Sequence, residues 1–176
     1  YYDKCDFCAI SRSFRHGYRE MSAKQIVNQM SELARKHGSQ TFKDVSEALS
    51  PRLLSEMHRV IEQQSNDFEW EAYLRFETPF NNAETARQLR QSGLRVAYLG
   101  LETASQRLSD DMAKKIDVNV AETTIRHFAD AGIWIHLFLM SGHPNETESD
   151  HQETLQFLRR NSRYVHSIQA GGFQME

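Results

Sequence analysis

Short runs of β-forming residues alternate with amphipathic helical stretches along this 176-residue chain, and this alternation is the strongest constraint on its fold. Apolar residues at helical spacing predict helices that begin after Ser22, at Ser50–Pro51 and at Asn82, where capping residues stand. The predicted strands between the helices are 41–45, 71–77, 95–102, 133–140 and 167–170. Strands separated by helices indicate parallel βαβ units, so the sequence predicts a single α/β domain over residues 1–176.

The two faces of the predicted strands differ in polarity. Side chains alternate between the faces of a strand, so residues of one parity share a face. We expect Tyr73, Arg75, Tyr98, Glu102 and His136 to face the lumen of a curved sheet, and Leu74, Leu99, Leu101, Leu137 and Leu139 to pack against helices. A sheet with one face open to water is the alternative that the residues leave open.

Composition narrows the function classes. No apolar run approaches the ~20 residues that a membrane span needs, so no membrane partner is expected. A net charge of −3 argues against a general nucleic-acid surface. The chain has two cysteines and no disulfide framework, which favours a reducing, cytoplasmic location.

Both cysteines, Cys5 and Cys8, form a C-x2-C pair close to the first residue. Such a pair serves as half of a zinc site, as a redox dithiol or as part of an iron–sulfur ligand set. His16 is a candidate third ligand for zinc, whereas a thioredoxin-like dithiol fits less well because that motif follows a strand. Cys5 and Cys8 are therefore candidate metal ligands, with iron–sulfur and zinc chemistry both open.

Two further segments carry polar and turn-forming residues at strand ends. Residues 98–115 read YLGLETASQRLSDDMAKK, and residues 138–147 read FLMSGHPNET. Glu102 stands at the carboxyl end of a predicted strand, where ligands bind in parallel α/β folds. A cap for the following helix is the alternative role for Glu102.

Taken in order, these segments resemble the radical S-adenosylmethionine (SAM) superfamily. The cysteine pair with Phe7 resembles the end of the family's C-x3-C-x-aromatic-C loop, and the two segments resemble its GxE and GxPgE(T) stretches, with Asn145 at the usual glycine. The resemblance implies an open, parallel (β/α) partial TIM barrel. It also implies a [4Fe–4S] cluster held by Cys5, Cys8 and a third cysteine.

The resemblance further implies a set of SAM-contacting residues. Phe7 would pack beside the nucleoside, and Asp44 or Glu47 would face the methionine amino group; helix N-terminal placement is the alternative for both acids. Arg75 is a candidate partner of the SAM carboxylate, although an ion pair with Glu77 or Glu102 is an alternative. The remaining implied SAM-site residues are Gly100, Glu102, Gly142, Pro144 and Glu146.

Four other residues carry expectations of their own. Asn tolerates positive φ, so the turn around Asn145 is expected to survive the loss of glycine. His136 and His143 are candidates to face substrate, with a structural role as the alternative. Lys114 is expected to be a solvated residue next to Lys115, although the family pattern favours a role for it.

The implied function is reductive cleavage of SAM to methionine and a 5′-deoxyadenosyl radical that acts on a substrate the residues do not identify. The partner would be a reductant such as flavodoxin or ferredoxin. Among the family's branches, the segments ALSP, LRFE and HLFLMSGHPNET are most similar to the cobalamin-binding proteins, so cobalamin-dependent methyl transfer is one expectation. The alternatives are a zinc-binding or scaffold α/β domain and a cluster-free barrel lyase or isomerase.

The cysteine loop has no strand before it. We therefore expect a longer protein in which the first barrel strand, a third cysteine and a cobalamin-binding domain precede Tyr1; a degenerate cysteine loop is the alternative.

Overall fold

The structure is a computed structural model that describes residues 5–8 and 19–174. The elements of this part are α1 (Ala23–His37), β1 (Thr41–Lys43), α2 (Pro51–Gln64), β2 (Glu69–Leu74), a 3-10 helix (Thr78–Phe80), α3 (Ala83–Gln91), β3 (Leu94–Glu102), α4 (Gln106–Asp111), α5 (Val118–Asp130), β4 (Trp134–Ser141), α6 (Glu148–Asn161) and β5 (Ser167–Gly172). The strands pair in parallel in chain order and form a curled half-barrel, which confirms the predicted fold class.

The helices begin at the capping residues that the sequence indicated. The Ser22 hydroxyl accepts a hydrogen bond from the Gln25 amide at the start of α1, and Gly38 ends that helix in the left-handed region. The Ser50 hydroxyl accepts from the Leu53 amide at the start of α2. Local capping therefore fixes where these helices begin.

Two strands end earlier than the sequence predicts. β1 ends at Lys43, because the Asp44 carboxylate accepts the Ser46 amide and turns the chain. β2 ends at Leu74, where its pairing with β3 stops, so Arg75 lies just beyond the strand. α4 ends at Asp111 because the residues that follow include left-handed conformations.

The aliphatic face of the sheet packs against the helices, as predicted. Leu99, Leu101 and Leu137 are completely buried, Leu74 is nearly so, and Leu139 packs at the edge of the same core. Burying a leucine side chain contributes about 1.5–3 kcal/mol, so this layer is a principal source of stability. Within residues 5–8 and 19–174, no helix combines the length and the apolar composition that crossing a membrane requires.

Gly93 joins α3 to β3 where two backbones meet. Its φ is +95°, and a Cβ atom at this position would lie 1.7 Å from the Phe68 carbonyl oxygen. The Trp70 amide donates to the Gly93 carbonyl at 2.9 Å, which fixes the approach. Only glycine fits here, because both the space and the dihedral exclude a side chain.

We expect Gly93→Ala to destabilise the protein by more than about 3 kcal/mol. The added Cβ would force the Phe68 backbone to move, and alanine would also be strained at a positive φ. Gly38→Ala is the matched control: its φ is +68°, and nothing lies within 4 Å of the added Cβ. The control should lose only about 1 kcal/mol. Urea denaturation of both variants measures the difference, and equal losses would contradict this account of Gly93.

A buried carboxylate, Asp150, holds α4 to α6. It accepts hydrogen bonds from the Ser105 hydroxyl at 2.6 Å and from the Thr147 amide at 2.8 Å, and it pairs with Arg107. The Arg107 guanidinium and then these hydrogen bonds hold the pKa of Asp150 well below its usual range, against the opposing effect of burial. The charged form of Asp150 therefore stabilises the fold.

Because the pKa of Asp150 is lower in the folded than in the unfolded chain, its contribution is present above about pH 4 and is lost as pH falls. We expect Asp150→Asn to reduce the free energy of unfolding by about 2 kcal/mol at pH 7, and by progressively less below pH 4. Denaturation at several pH values tests this, with the exposed Asp67→Asn as control. A loss that does not depend on pH would show that the charge is unimportant.

Candidate functional site

The cysteine loop lies against segments that follow two strands of the half-barrel. The Cys8 amide donates to the Cys5 carbonyl at 3.2 Å, which closes the loop into a turn. The Asp6 amide donates to the Met112 carbonyl at 3.1 Å, and so attaches the loop to the chain after α4. Cys5 is buried and Cys8 is half-buried. The two thiols therefore stand at the carboxyl edge of the sheet.

A cavity of about 240 Å³ opens beside these thiols. It is lined by both cysteines and by five other predicted site residues: Phe7, Glu47, Arg75, Gly100 and Glu102. Residues from the cysteine loop, the turn after β1, the end of β2 and the end of β3 thus meet at one place. This convergence is typical of ligand sites in parallel α/β folds.

Arg75 joins the cysteine loop to the chain after α4. Its Nη2 donates to the Lys114 carbonyl oxygen at 2.8 Å, and its Nη1 lies 3.7 Å from the Cys5 Sγ. A positive charge therefore stands beside one of the two sulfurs. Thiolate, not thiol, is the metal-binding form of cysteine, so this charge suits a ligand role.

Lys114 and Glu102 form an ion pair inside the cavity. The Lys114 Nζ lies 2.9 Å from the Glu102 Oε1, and the two side chains are only 7% and 14% exposed. The expectation that Lys114 is solvated is wrong, because the chain after α4 turns inward and buries it, whereas Lys115 is exposed. A Cβ on Gly100 would lie 2.8 Å from the carboxylate and 3.0 Å from the ammonium, so Gly100 makes room for the pair.

Strained backbone surrounds this ion pair. Glu102, Ala113 and Lys115 have φ of 63°, 52° and 55°, and within residues 5–8 and 19–174 Ser65 is the only other non-glycine residue with positive φ. Such conformations cost about 1–3 kcal/mol each and concentrate at functional sites. The strain is a second sign that this end of the barrel was shaped by function.

Four of the predicted SAM-site residues do not line the cavity: Asp44, Gly142, Pro144 and Glu146. Instead, the Glu146 carboxylate accepts the Gly142 amide at 2.5 Å and closes the turn after β4, where Gly142 has φ +84°. The turn around Asn145 is present without the glycine, as expected, although Asn145 does not lie in the left-handed region. Its side-chain amide donates to Asp111 at 2.7 Å, which gives it a structural contact.

The two histidines differ in their surroundings. His143 is buried: its Nδ1 accepts the Asn145 amide at 3.3 Å, which assigns the proton to Nε2, 3.4 Å from the Asp6 carboxylate. His143 thereby links the turn after β4 to the cysteine loop. His136 lies on the lumen face beside the Tyr98 ring, and burial lowers its pKa.

Aromatic side chains continue the cavity along the lumen face. Tyr73 and Tyr98 line it together with Arg75 and Glu102, as the parity of the strands predicted, and Phe138 of β4 lines it beside them. Lys43 was missed by sequence reasoning, although its Nζ lies 4.1 Å from the centre of the Tyr98 ring. Its strand has only three residues, too few to show alternation, and its pairing with Glu71 becomes visible only in the folded sheet.

The described residues include no group of three or more His, Cys, Asp or Glu side chains that could hold a metal ion. His16, the candidate zinc ligand, lies outside the described residues, as does Tyr1. The metal-binding donors at the cavity are therefore the two thiols of Cys5 and Cys8, together with nearby carboxylates.

Comparison with known proteins agrees with this geometry. Residues 3–158 match the sequence model of the radical SAM superfamily. An uncharacterized methyltransferase of Pyrococcus horikoshii is 24% identical over 158 residues, which are 89% of this chain and 34% of that protein. The chain thus spans about a third of the length of this relative.

Solved structures share the fold at low sequence identity. The radical SAM methyltransferase TsrM of Kitasatospora setae, solved with cobalamin and a [4Fe–4S] cluster, superposes with a TM-score of 0.78 at 16% identity, over 97% of this chain and 34% of that one. The cobalamin-dependent SAM radical enzyme OxsB gives 0.76 at 15% identity, over 96% and 26%. Coproporphyrinogen III oxidase of Escherichia coli gives 0.61 at 13% identity, over 97% and 41%.

The family model covers most of the chain, and its cysteine loop lies at the mouth of the half-barrel. This chain therefore belongs to the radical SAM superfamily of enzymes.

Proposed function

We propose that this chain is the catalytic core of a radical SAM enzyme, which binds a [4Fe–4S] cluster through Cys5 and Cys8 and cleaves SAM reductively. The observation that carries the proposal is the convergence of both thiols, Arg75 and the Glu102–Lys114 ion pair on one cavity. Membership of the superfamily supports the same chemistry.

The donor set fits such a cluster. Two cysteines of one turn can bind different irons, since cluster ligands sit close together in a loop. Arg75 beside the Cys5 sulfur offsets negative charge at the site. When bound, the cluster supplies the electron that breaks a carbon–sulfur bond of SAM, and the remaining work falls to residues of the chain.

The ion pair suits the methionyl end of SAM, which carries both an amino group and a carboxylate. Glu102 offers a carboxylate for the first, and Lys114 offers an ammonium for the second. Phe7, whose ring lies 5.5 Å from the Lys114 Nζ, offers an apolar surface beside them. These residues would orient SAM and keep water from the reacting bond.

A finer proposal is cobalamin-dependent methyl transfer in a longer protein. The relative is described as a methyltransferase, and TsrM and OxsB are cobalamin-dependent or cobalamin-bound radical SAM proteins. We propose that a first strand, a third cysteine and a cobalamin-binding domain precede Tyr1, that a flavodoxin- or ferredoxin-type protein supplies the electron, and that the enzyme works in the cytoplasm, where thiols stay reduced.

The cluster proposal predicts that full-length protein, reconstituted anaerobically, takes up iron and sulfide and shows the broad thiolate-to-iron absorbance. Cys5→Ala and Cys8→Ala should each abolish most of it, because each removes an iron ligand. Ser46→Ala, at an exposed residue of the turn after β1, is the control and should leave it unchanged. Retained zinc without iron uptake would favour the zinc-binding alternative and overturn the proposal.

The SAM proposal predicts that Glu102→Gln weakens SAM binding about tenfold or more, since a charge-assisted hydrogen bond contributes about 1.5–3 kcal/mol. Calorimetric titration of SAM into reconstituted protein measures this, and a thermal melt shows whether the fold survives. Glu148→Gln, at an exposed position of α6, is the control and should bind SAM like the wild type. Unchanged affinity in Glu102→Gln would give Glu102 a structural role only.

A further inference from the structure

Three aromatic rings form one patch on the lumen face, deeper than the ion pair. The ring centres of Tyr73, Tyr98 and Phe138 lie 5.0, 6.0 and 6.3 Å from one another, and their planes differ by at most 30°. Three near-parallel rings at mutually similar distances cannot all stack face to face. They therefore form a single patch of offset rings, which we call the aromatic patch.

The aromatic patch is open to the cavity and not part of the buried core. All three rings are only half-buried and line the cavity wall, whereas Leu99, Leu101 and Leu137 of the opposite sheet face are completely buried. A half-buried aromatic surface inside a cavity is a typical contact for a planar ligand, which it binds by stacking.

Position along β3 separates the patch from the proposed SAM site. Tyr98, Gly100 and Glu102 share one face of the strand, and successive same-face residues are about 6.6 Å apart. Glu102 and Lys114 occupy the carboxyl end near the cysteines, with Gly100 beneath them. Tyr98 lies four residues before Glu102 on β3, and Phe138 pairs with Gly100, so the patch lies deeper in the lumen than the ion pair.

A positive charge stands at the deep side of the patch. The Lys43 Nζ lies 4.1 Å from the centre of the Tyr98 ring, 5.4 Å from that of Tyr73 and 3.8 Å from the Glu71 Oε2. The Lys43 side chain is 43% exposed, and an ammonium has three N–H donors. Contact with the Tyr98 hydroxyl raises the pKa of Lys43 against the opposing effect of burial, so Lys43 stays protonated.

The Tyr98 hydroxyl fixes this arrangement. It donates to the Glu71 Oε2 at 2.8 Å, so the carboxylate near Lys43 already has a partner. Glu71 thereby holds the Tyr98 ring in place, and Lys43 keeps donors for an incoming anion. The aromatic patch and the Lys43 ammonium are close enough together for a single ligand to contact both.

We propose that the aromatic patch with Lys43 binds the substrate of this enzyme, and that the substrate is a planar aromatic compound carrying an acidic group. The inference rests on the proposed function, because it places the substrate ring between the SAM site and Lys43. The ring would stack on Tyr98 and its neighbours, and the acidic group would pair with Lys43. The ring, and not the acidic group, then lies nearer the cysteine loop.

Binding of simple probes to anaerobically reconstituted full-length protein tests this. The probes are 2-naphthoate, its uncharged analogue 2-naphthamide, and cyclohexanecarboxylate, which keeps the acid without the aromatic ring. We expect 2-naphthoate to bind most tightly by calorimetry or ligand-observed NMR. Tyr98→Leu should weaken it about tenfold, as expected for a lost stacking contact. Lys43→Met should weaken 2-naphthoate severalfold and leave 2-naphthamide unchanged.

Matched controls separate these effects from general damage. Trp134→Leu removes an exposed aromatic side chain of β4 that does not line the cavity, and Lys36→Met removes an exposed charge of α1. Both should bind 2-naphthoate like the wild type. Equal binding of 2-naphthoate and cyclohexanecarboxylate, or unchanged binding in Tyr98→Leu, would overturn the proposal.

Two further binding measurements test the substrate site separately from the proposed function. SAM should not displace 2-naphthoate; mutually exclusive binding would assign the patch to the SAM nucleoside and overturn the proposal. Cys5→Ala should still bind 2-naphthoate, because the patch does not need the cluster. Iron uptake without selective probe binding would refute the inference alone, whereas selective probe binding without iron uptake would refute the proposed function alone.

Discussion

The buried ion pair between Glu102 and Lys114 is the interaction on which the site depends. A buried charge that loses its partner costs several kcal/mol, so neither residue is readily replaced alone. The ion pair can form only because the backbone is left-handed at Glu102, Ala113 and Lys115, and because Gly100 has no side chain. A hydrophobic pair would give comparable stability without this strain, which is why we attribute the arrangement to ligand binding.

The chain between α4 and α5 also holds the other parts of the site in place through hydrogen bonds to its backbone. Its Met112 carbonyl receives the Asp6 amide, and its Lys114 carbonyl receives the Arg75 guanidinium. The cysteine loop, the end of β2 and the end of β3 are thereby fixed to one short segment. Parallel register brings the ends of β2 and β3 to the same edge of the sheet, so backbone pairing and side-chain contacts act together.

The sequence predicted the fold and the lumen face well, and the details of the site less well. Period-two alternation separates Leu99 from Tyr98 in any sheet, so the two faces could be predicted locally. The burial of Lys114 could not, because it depends on left-handed turns at residues that do not usually adopt them. Lys43 depends on cross-strand register with Glu71, which no local pattern encodes.

The electron paramagnetic resonance spectrum of the reduced full-length protein, recorded with and without SAM, shows whether Cys5 and Cys8 hold a cluster that SAM contacts. We expect the signal of a reduced [4Fe–4S] cluster that changes when SAM is added and that is absent from Cys5→Ala. Absence of a cluster signal in protein reconstituted anaerobically, or a signal that SAM leaves unchanged, would contradict the proposed function.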